Sequence, residues 1–408
     1  MRYFNYLTHD EEERIFHSSP MTFSNQSDRE ILSHSIGAAL YMPATRLNIA
    51  DELASGKHEG LVSVVMDLED AVGDHQVELA EENLKQQMYR LAGMVKLEAI
   101  KSDDLPLIFI RVRTPKQMEQ IIDLLESSLE FVTGFVLPKF SVEVGTEYFD
   151  IIRSYNGHKP SNFPTLYVMP ILETSDVIFK ESRYATLHGI KDLLSQYRDL
   201  VLNVRIGATD FSSLFGLRRS PDMTIYDIGV IRDCIIDVVN IFGRANDQYV
   251  ISGPVWEYFK NERASKLHIR AATFEDAGGK AGQRTRIDIV NEYMEGLIRE
   301  VSLDKANGII GKSIIHPSHI IPVQSSYVVT YEEYLDATNI VNSNNGMIGV
   351  VKSQHENKMN EIKPHLNWAN RILTRAKIYG VLNENKNYTS ILLGHESSQH
   401  EKTILSYS

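Results

Sequence analysis

Short apolar segments alternate with amphipathic segments along most of the chain. Eight of the apolar segments are nearly continuous, which is typical of parallel strands that are covered on both faces. The stretches between them have helical spacing, as in Val77–Leu91, Gln117–Leu129 and Ile228–Phe242. The eight predicted strands are Ala38–Pro43, Val62–Asp67, Leu107–Val112, Gly134–Pro138, Leu166–Leu172, Val201–Ile206, Tyr249–Ser252 and Ile309–Ile315.

Eight alternating strand and helix units predict an α/β protein with a (β/α)8 TIM barrel. A doubly wound parallel sheet is the alternative, but it would usually need fewer strands and a glycine-rich phosphate turn. We expect an N-terminal extension with some helix at 1–35 and a catalytic barrel at 36–320. A helical C-terminal segment at 321–394 is expected to contribute to an oligomer and an active site, and 395–408 to form a flexible tail.

The composition is that of a globular protein and disfavours a nucleic-acid-binding or membrane protein. The chain has 408 residues, of which 43% are hydrophobic and 24% charged, as in globular proteins. A net charge of −12 without a basic stripe disfavours a nucleic-acid surface. The single cysteine, Cys234, allows no internal disulfide. Because no apolar signal core or membrane-length run is present, we expect a cytoplasmic protein that does not bind membranes.

Acidic residues follow three of the predicted strands. Glu173 and Asp210 are 37 residues apart, which is enough for one crossover helix, and Asp67, Glu69 and Asp70 follow an earlier strand. The carboxyl ends of barrel strands share one face, where active sites lie. A single acid there is more often a helix cap or a solvated loop residue. Three such strand ends favour a site for Mg²⁺, which one or two carboxylates hold together with water and substrate.

Basic residues also stand at strand ends. Arg111 and Arg113 close the third predicted strand, and their side chains are expected on the same side of it. A guanidinium at such a place suits a bidentate grip on a substrate carboxylate, although a surface salt bridge is an equal alternative. Arg46 after the first strand and Lys139 after the fourth are further candidates for substrate binding. A strand-end lysine also suits a Schiff base.

Other motifs give no support to competing classes of enzyme. Gly308–Ser313 is not a phosphate-binding loop, because Ala306 stands where a glycine is needed and a strand follows it. His316 and His319 flank a proline without a partner acid, so we interpret them as turn histidines rather than metal ligands. The charged stretch Lys260–Arg286 is expected to be an enlarged loop around the seventh strand. A serine nucleophile elbow and a dinucleotide-binding turn are absent from the sequence.

The strand-end motifs occur in one order over residues 38–380. They are Tyr41-Met-Pro-Ala-Thr-Arg46, Met66-Asp-Leu-Glu-Asp-Ala-Val72, Ile110-Arg-Val-Arg113, Val136-Leu-Pro-Lys139, Pro170-Ile-Leu-Glu-Thr174, Gly207-Ala-Thr-Asp-Phe211 and Gly311-Lys-Ser-Ile-Ile-His-Pro317. Together they resemble the citrate lyase beta-subunit and malyl-CoA lyase family, also called the HpcH/HpaI aldolase/citrate lyase family.

The resemblance implies a TIM barrel that is usually trimeric, with a C-terminal segment that helps to complete a neighbouring subunit's site. It implies that Glu173 and Asp210 are the Mg²⁺ ligands. By the same resemblance, Glu69 and Asp70 lie near the water ligands of the metal, and Asp67 is expected beside them.

The resemblance also implies that Arg111 binds the substrate. Two departures from the family pattern concern the same site. Glu361 stands where the family carries a C-terminal aspartate that acts in acid–base chemistry, and Arg113 replaces the usual asparagine. An ionised Glu361 suits the role of a base, because the reference pKa of glutamate is well below neutrality.

The implied reaction cleaves or forms a carbon–carbon bond in a small hydroxy- or oxo-carboxylic acid or its thioester. The alternatives are a Schiff-base aldolase that uses Lys139 and a barrel that binds ligands without turnover. The apolar stripe in Trp368–Val381 needs a surface to pack on. The stripe by itself indicates association, and the resemblance implies a homo-oligomer, most simply a trimer, in which Glu361 enters the neighbour's site. The alternative is a C-terminal segment docked on its own barrel with Glu361 solvated.

Overall fold

The computed structural model describes residues 1–259, 294–346, 349–355 and 357–392. Its centre is a closed barrel of eight parallel strands, in which the last strand pairs with the first. The predicted TIM barrel is therefore confirmed. A short strand β1, Phe16–Ser18, precedes the barrel. The barrel strands are β2 (Ala38–Pro43), β3 (Ser63–Asp67), β4 (Leu107–Arg111), β5 (Val132–Leu137), β6 (Tyr167–Leu172), β7 (Asn203–Ile206), β8 (Val250–Trp256) and β9 (Lys312–Ile314).

Helices connect the strands on the outside of the barrel, and polar residues start several of them. Thr114 caps one helix by accepting from the Gln117 backbone N–H, and Ser141 caps the next in the same way. The residues 294–306 are also helical. The remaining helices are α1 (His9–Ile15), α2 (Arg29–His34), α3 (Ile49–Ala54), α4 (Val77–Lys96), α5 (Pro115–Leu125), α6 (Val142–His158), α7 (Ser175–Ile178), α8 (Lys180–Gln196), α9 (Ala208–Leu214), α10 (Gly229–Phe242), α11 (Ile320–Ser325), α12 (Tyr331–Asn342) and α13 (Ile362–Tyr379).

The register of the barrel strands determines which charged residues lie next to each other. Asp67 on β3 is directly paired with Arg111 on β4, so their side chains start side by side. Leu172 on β6 is paired with Ile206 on β7, which brings the residues that follow, Glu173 and Gly207, to the same edge. The acidic and basic strand ends therefore meet at one face of the barrel, as the sequence predicted.

Lys312 lies on β9 and is fully buried between the barrel and the helical residues 294–306. Its Nζ atom lies 2.9 Å from Glu300 Oε1 and 2.8 Å from Asp304 Oδ2, and Arg219 also binds Glu300. Because the ammonium is neutralised by two carboxylates inside the fold, this lysine is a structural one. The geometry agrees with rejecting a phosphate-binding loop at Gly308–Ser313.

The C-terminal helix α13 packs on its own chain. Its residues Ile372 and Ala376 are buried in a cluster shared with α12, and the ring of Tyr379 lies 4.3 Å from that of Tyr3. A strand β12, Val381–Leu382, pairs with β1. This corrects one argument from the sequence: the stripe in Trp368–Val381 is covered within one chain and does not itself require a second subunit.

Between α12 and α13, two further strands form a hairpin, β10 (Val350–Lys352) and β11 (Met359–Glu361). No helix among the described residues is long and apolar enough to cross a membrane. The expected loop at Lys260–Arg286 and the expected tail at 395–408 lie outside the described residues.

Candidate metal and substrate site

A cavity of about 410 Å³ opens at the carboxyl ends of the barrel strands. Apolar side chains form part of its wall, among them Ile171, Ile206, Val255 and Ile315. The polar lining is drawn from six different strands or the loops that follow them, and it includes Tyr41, Asp67, Asp70, Arg111, Glu173, Arg205, Asp210 and Ser313. The volume and the mixed lining suit one small organic acid.

Glu173 lies at the end of β6 with only 4% of its surface exposed. Its Oε1 accepts a hydrogen bond of 2.7 Å from the Lys139 backbone N–H, which Lys139 presents by adopting a left-handed φ of +48°. Gly207 allows the carboxylate to lie against the backbone, since a Cβ there would be 2.1 Å from Glu173 Oε2. Burial, and then the Asp210 charge, raise the pKa of Glu173 to about 8.

Asp210 lies in the first turn of α9 and lines the same cavity. Burial raises its pKa, while Lys139, whose Nζ is 4.0 Å from Oδ1, opposes that shift. Two buried carboxylates with raised pKa values are stabilised in their ionised form by a cation bound beside them. Mg²⁺ is usually held by one or two carboxylates, with water and substrate as its other ligands, and Glu173 and Asp210 supply such a pair. No group of three or more His, Cys, Asp or Glu side chains suited to a metal is found among the described residues.

Arg111 is 8% exposed and is already paired with acids of its own chain. Its Nε and Nη2 donate to the two oxygens of Asp67 at 2.7 and 2.5 Å. Its Nη1 lies 2.9 Å from Glu69 Oε2 and 3.3 Å from Asp70 Oδ2. Burial lowers the pKa of Arg111, but Asp67 more than offsets this, so the pKa is raised overall. The two-donor edge predicted to grip a substrate carboxylate is thus occupied by Asp67.

Lys139 binds the Glu69 carboxylate through Nζ and lies 3.7 Å from Asp70 Oδ1. Burial lowers the pKa of Lys139, yet Glu69 and Asp70 raise it above its ordinary value. The amine is therefore held protonated at neutral pH, whereas a Schiff base needs a neutral amine. This geometry favours an electrostatic role for Lys139 over the Schiff-base alternative.

Two other arginines of the sequence prediction have partners elsewhere. Arg46 pairs with Glu52 at 2.7 Å. Arg113 donates to the carbonyls of Leu68 and Val72, which fastens the loop that carries the acids after β3. Neither arginine belongs to the residues that line the cavity. The structure thus gives both a role in holding loops, and it does not bring them to the predicted substrate site.

Glu361 ends the hairpin strand β11 with its side chain exposed. Its backbone N–H bonds to His365 Nδ1 at 3.0 Å. The residue is not among those that line the cavity of its own chain. Its predicted action in a neighbouring subunit's site stays a prediction.

Arg205 was missed by the sequence analysis, where it counted only as part of a strand. It lies on β7 with 1% of its surface exposed, and it lines the cavity. Its Nη2 donates to Ser313 Oγ at 2.7 Å. The signal that could have revealed it is a charged residue inside an otherwise apolar strand of a barrel, because such a side chain must point either into the barrel or into the helix layer.

A family model described as C–C bond lyase of the TIM-barrel fold matches residues 30–381. The chain belongs to this family. The match confirms the predicted class of enzyme, a carbon–carbon bond lyase built on a TIM barrel. No curated protein matches the chain.

Solved structures share the fold at low identity. A citrate lyase from Burkholderia xenovorans LB400 is 16% identical, with a TM-score of 0.56, and the match covers 87% of this chain and 96% of that one. The CitE protein from Mycobacterium tuberculosis, in complex with magnesium, acetoacetate and coenzyme A, is 18% identical. That match covers 84% of this chain and 99% of that one, with a TM-score of 0.49. At such identities the likeness extends to the fold alone.

Proposed function

We propose that the protein is a Mg²⁺-dependent lyase that cleaves or forms a carbon–carbon bond in a small hydroxy- or oxo-carboxylic acid or its thioester. The observation that carries the proposal is the pair Glu173 and Asp210, two carboxylates with raised pKa values on one cavity wall. Membership of the C–C bond lyase family supports the reaction class.

Glu173 and Asp210 are the proposed ligands of the metal. When bound, Mg²⁺ supplies Lewis-acid stabilisation of the oxygens that become negative during the reaction. The remaining ligands are water and substrate, as is usual for Mg²⁺. Asp67, Glu69 and Asp70 are proposed to order the cationic side chains and waters around the metal, since Asp67 and Glu69 already bind Arg111.

The cationic side chains stabilise the developing charge. In retro-aldol cleavage a hydroxyl proton goes to a base, the carbon–carbon bond breaks into a carbonyl fragment and an enolate, and the enolate carbon then takes up a proton. Arg111 and Lys139 remain protonated and fixed throughout, so their positive potential acts on the enolate without reorganisation.

The base is proposed to be Glu361 of another subunit in a homo-oligomer, most simply a trimer. Two observations support this role: Glu361 is exposed and outside the cavity of its own chain, and the family resemblance places an acid–base group on a C-terminal segment. The proposed compartment is the cytoplasm, where the single buried thiol of Cys234 stays reduced.

The metal site is tested by calorimetric titration with Mg²⁺ and Mn²⁺ on the parent chain and on Glu173→Gln and Asp210→Asn. The parent is expected to bind one divalent ion, and each variant to lose at least tenfold in affinity while keeping its metal-free melting temperature. Glu384→Gln, an exposed glutamate near the C-terminus, is the matched control. Unchanged Mg²⁺ affinity in both site variants would exclude the proposed ligands. The lyase activity of the Mg²⁺-loaded parent chain is measured separately, with a panel of hydroxy- and oxo-acids.

A further inference from the structure

Arg205 is a buried cation without an acidic partner among the described residues. Its contacts with side chains there are a hydrogen bond of 2.7 Å to Ser313 Oγ, a weak one of 3.9 Å to Met169 Sδ, and the face of the Tyr41 ring. Its Nε has no hydrogen-bond partner within the described part of the chain. A guanidinium has five N–H donors, so most of its capacity is unused.

A buried guanidinium without an acidic partner lowers the stability of the folded chain. Removing a charge from water without a partner opposes folding, so buried charges are normally paired. The other buried cations of the barrel follow that rule: Arg111 is paired with Asp67, and Lys312 with Glu300 and Asp304. Arg205 has no such acidic partner among the described residues, and it lines the cavity, so an anion that enters from solvent can supply the missing partner.

The position of Arg205 defines where such an anion would lie. Glu173 and Asp210 follow the ends of β6 and β7, whereas Arg205 lies within β7, one residue before its end, and is therefore deeper in the barrel. The Tyr41 ring lies 5.2 Å from the Arg111 guanidinium carbon and 5.9 Å from that of Arg205. The two cations thus flank one aromatic ring in the cavity lining.

We infer that Arg205 and Ser313 form an anion subsite at the floor of the cavity that binds a second carboxylate of the substrate. The first carboxylate of the substrate, or its neighbouring hydroxyl or oxo oxygen, would then lie at the mouth of the cavity, near Glu173 and Asp210. The substrate class narrows accordingly to acids with two carboxylates. The inference rests on the proposed function for the identity of the ligand, but the subsite itself rests on the unpaired guanidinium.

Malate and 2-hydroxybutyrate test the subsite, because the second acid differs by a methyl group in place of the second carboxylate. Titrations are run with Mg²⁺ present and absent. The parent chain is expected to bind malate at least tenfold more tightly than 2-hydroxybutyrate, as a charge-assisted hydrogen bond provides. Arg205→Met is expected to lose this preference while its affinities for 2-hydroxybutyrate and Mg²⁺ stay unchanged.

Two further variants keep the test decisive if Arg205→Met does not fold. Arg205→Lys keeps the charge but loses the planar fork, so an intermediate preference is expected. Ser313→Ala removes the hydroxyl that orients Nη2 and is expected to weaken malate binding several-fold without affecting 2-hydroxybutyrate. Arg244→Met, at an exposed arginine that donates to Asn240 in the same helical region, is the matched control and should change neither affinity.

A parent chain without preference for malate, including one that binds neither acid, overturns the inference. The same holds if Arg205→Met and Ser313→Ala both retain the preference. Failure of the proposed function looks different: Mg²⁺ does not bind, yet the malate preference still depends on Arg205.

Discussion

Arg111 and Asp67 form a two-point contact across neighbouring barrel strands, with Nε–Oδ1 and Nη2–Oδ2 distances of 2.7 and 2.5 Å. The two residues are directly paired in the register of β3 and β4, so the backbone already places their side chains next to each other. The contact keeps the guanidinium fixed and charged at the cavity wall. It also means that Arg111 contributes positive potential with its two-donor edge already engaged, which distinguishes it from Arg205.

Arg111→Lys is therefore expected to lower stability as well as activity. Lysine keeps the charge but cannot make both contacts to Asp67, so the free energy of unfolding should fall by roughly 1.5–3 kcal/mol in urea titrations. Catalytic efficiency should fall on the order of tenfold to a hundredfold once a substrate is known. Arg244→Lys is the control at an exposed arginine. Parent-like stability in Arg111→Lys would show that the two-point contact is not formed.

Gly207→Ala is expected to disable the metal site without unfolding the protein. The φ of Gly207 is −97°, so alanine fits the backbone there. Its Cβ, however, would lie 2.1 Å from Glu173 Oε2 and 2.4 Å from Glu173 Cβ, so the carboxylate must move. Mg²⁺ affinity measured by calorimetry should fall at least tenfold.

Gly157→Ala is the matched control for that substitution, because no atom lies within 4 Å of a Cβ at this helical position. It should leave the affinity unchanged. Equal Mg²⁺ affinity in Gly207→Ala and the parent would mean that the close approach to Glu173 has no part in metal binding.

Borohydride trapping separates the metal mechanism from the Schiff-base alternative. Because Glu69 and Asp70 keep Lys139 protonated, pyruvate and borohydride should produce no covalent adduct detectable by mass spectrometry near neutral pH. An adduct that disappears in Lys139→Met, but persists in the exposed-lysine control Lys386→Met, would instead establish the lysine aldolase.

The barrel was predictable because its strands are buried on both faces and so appear as apolar runs. All eight runs coincide with observed strands, and Ala38–Pro43 matches in both limits. The acids Glu173 and Asp210 were predictable for a related reason: the residue that follows a barrel strand always lies on the same face of the barrel.

The partners of the charged residues were not predictable in the same way. A strand-end position does not tell whether a guanidinium is free, and the pairing of Arg111 with Asp67 depends on a register between segments 44 residues apart. Arg205 depends on residues still farther along the chain, since Ser313 is 108 positions away. Arg46 pairs with Glu52, and Arg113 donates to backbone carbonyls of a nearby loop. An arginine in a turn can make such local contacts instead of binding a substrate, and the sequence does not show which of the two occurs.

His319 is expected to make stability depend on pH. It is 2% exposed, with Nε2 bonded to the Tyr258 carbonyl at 2.9 Å and Nδ1 without a partner among the described residues. Burial lowers the pKa of His319 to about 4, although the carbonyl opposes this. Below pH 6.5 His319 is protonated in the unfolded chain but stays neutral in the folded chain. The free energy of unfolding therefore falls as the pH drops from about 6.5 towards 4.

The size of this effect is at most roughly 3–4 kcal/mol, because the pKa falls from 6.5 to about 4 and each pKa unit corresponds to about 1.4 kcal/mol. Urea titrations at several pH values should show a shallower acid dependence in His319→Gln than in the parent chain. His9→Gln, which alters an exposed histidine, should keep the parent's slope. An identical slope in all three proteins would assign the acid sensitivity to other groups.

Glu361 provides the test of a shared active site. In its own chain the residue is exposed and outside the cavity lining, so a catalytic Glu361 must act on another subunit. Glu361→Gln and Asp210→Asn should each be inactive, while the exposed control Glu384→Gln keeps parent activity. After dissociation and random reassembly of a one-to-one mixture, a site is complete when an intact Asp210 meets an intact Glu361, which happens in about a quarter of sites in a cyclic assembly. Recovery of that fraction of activity is the expected result. A monomer by light scattering, or mixed oligomers without recovered activity, would remove Glu361 from the mechanism.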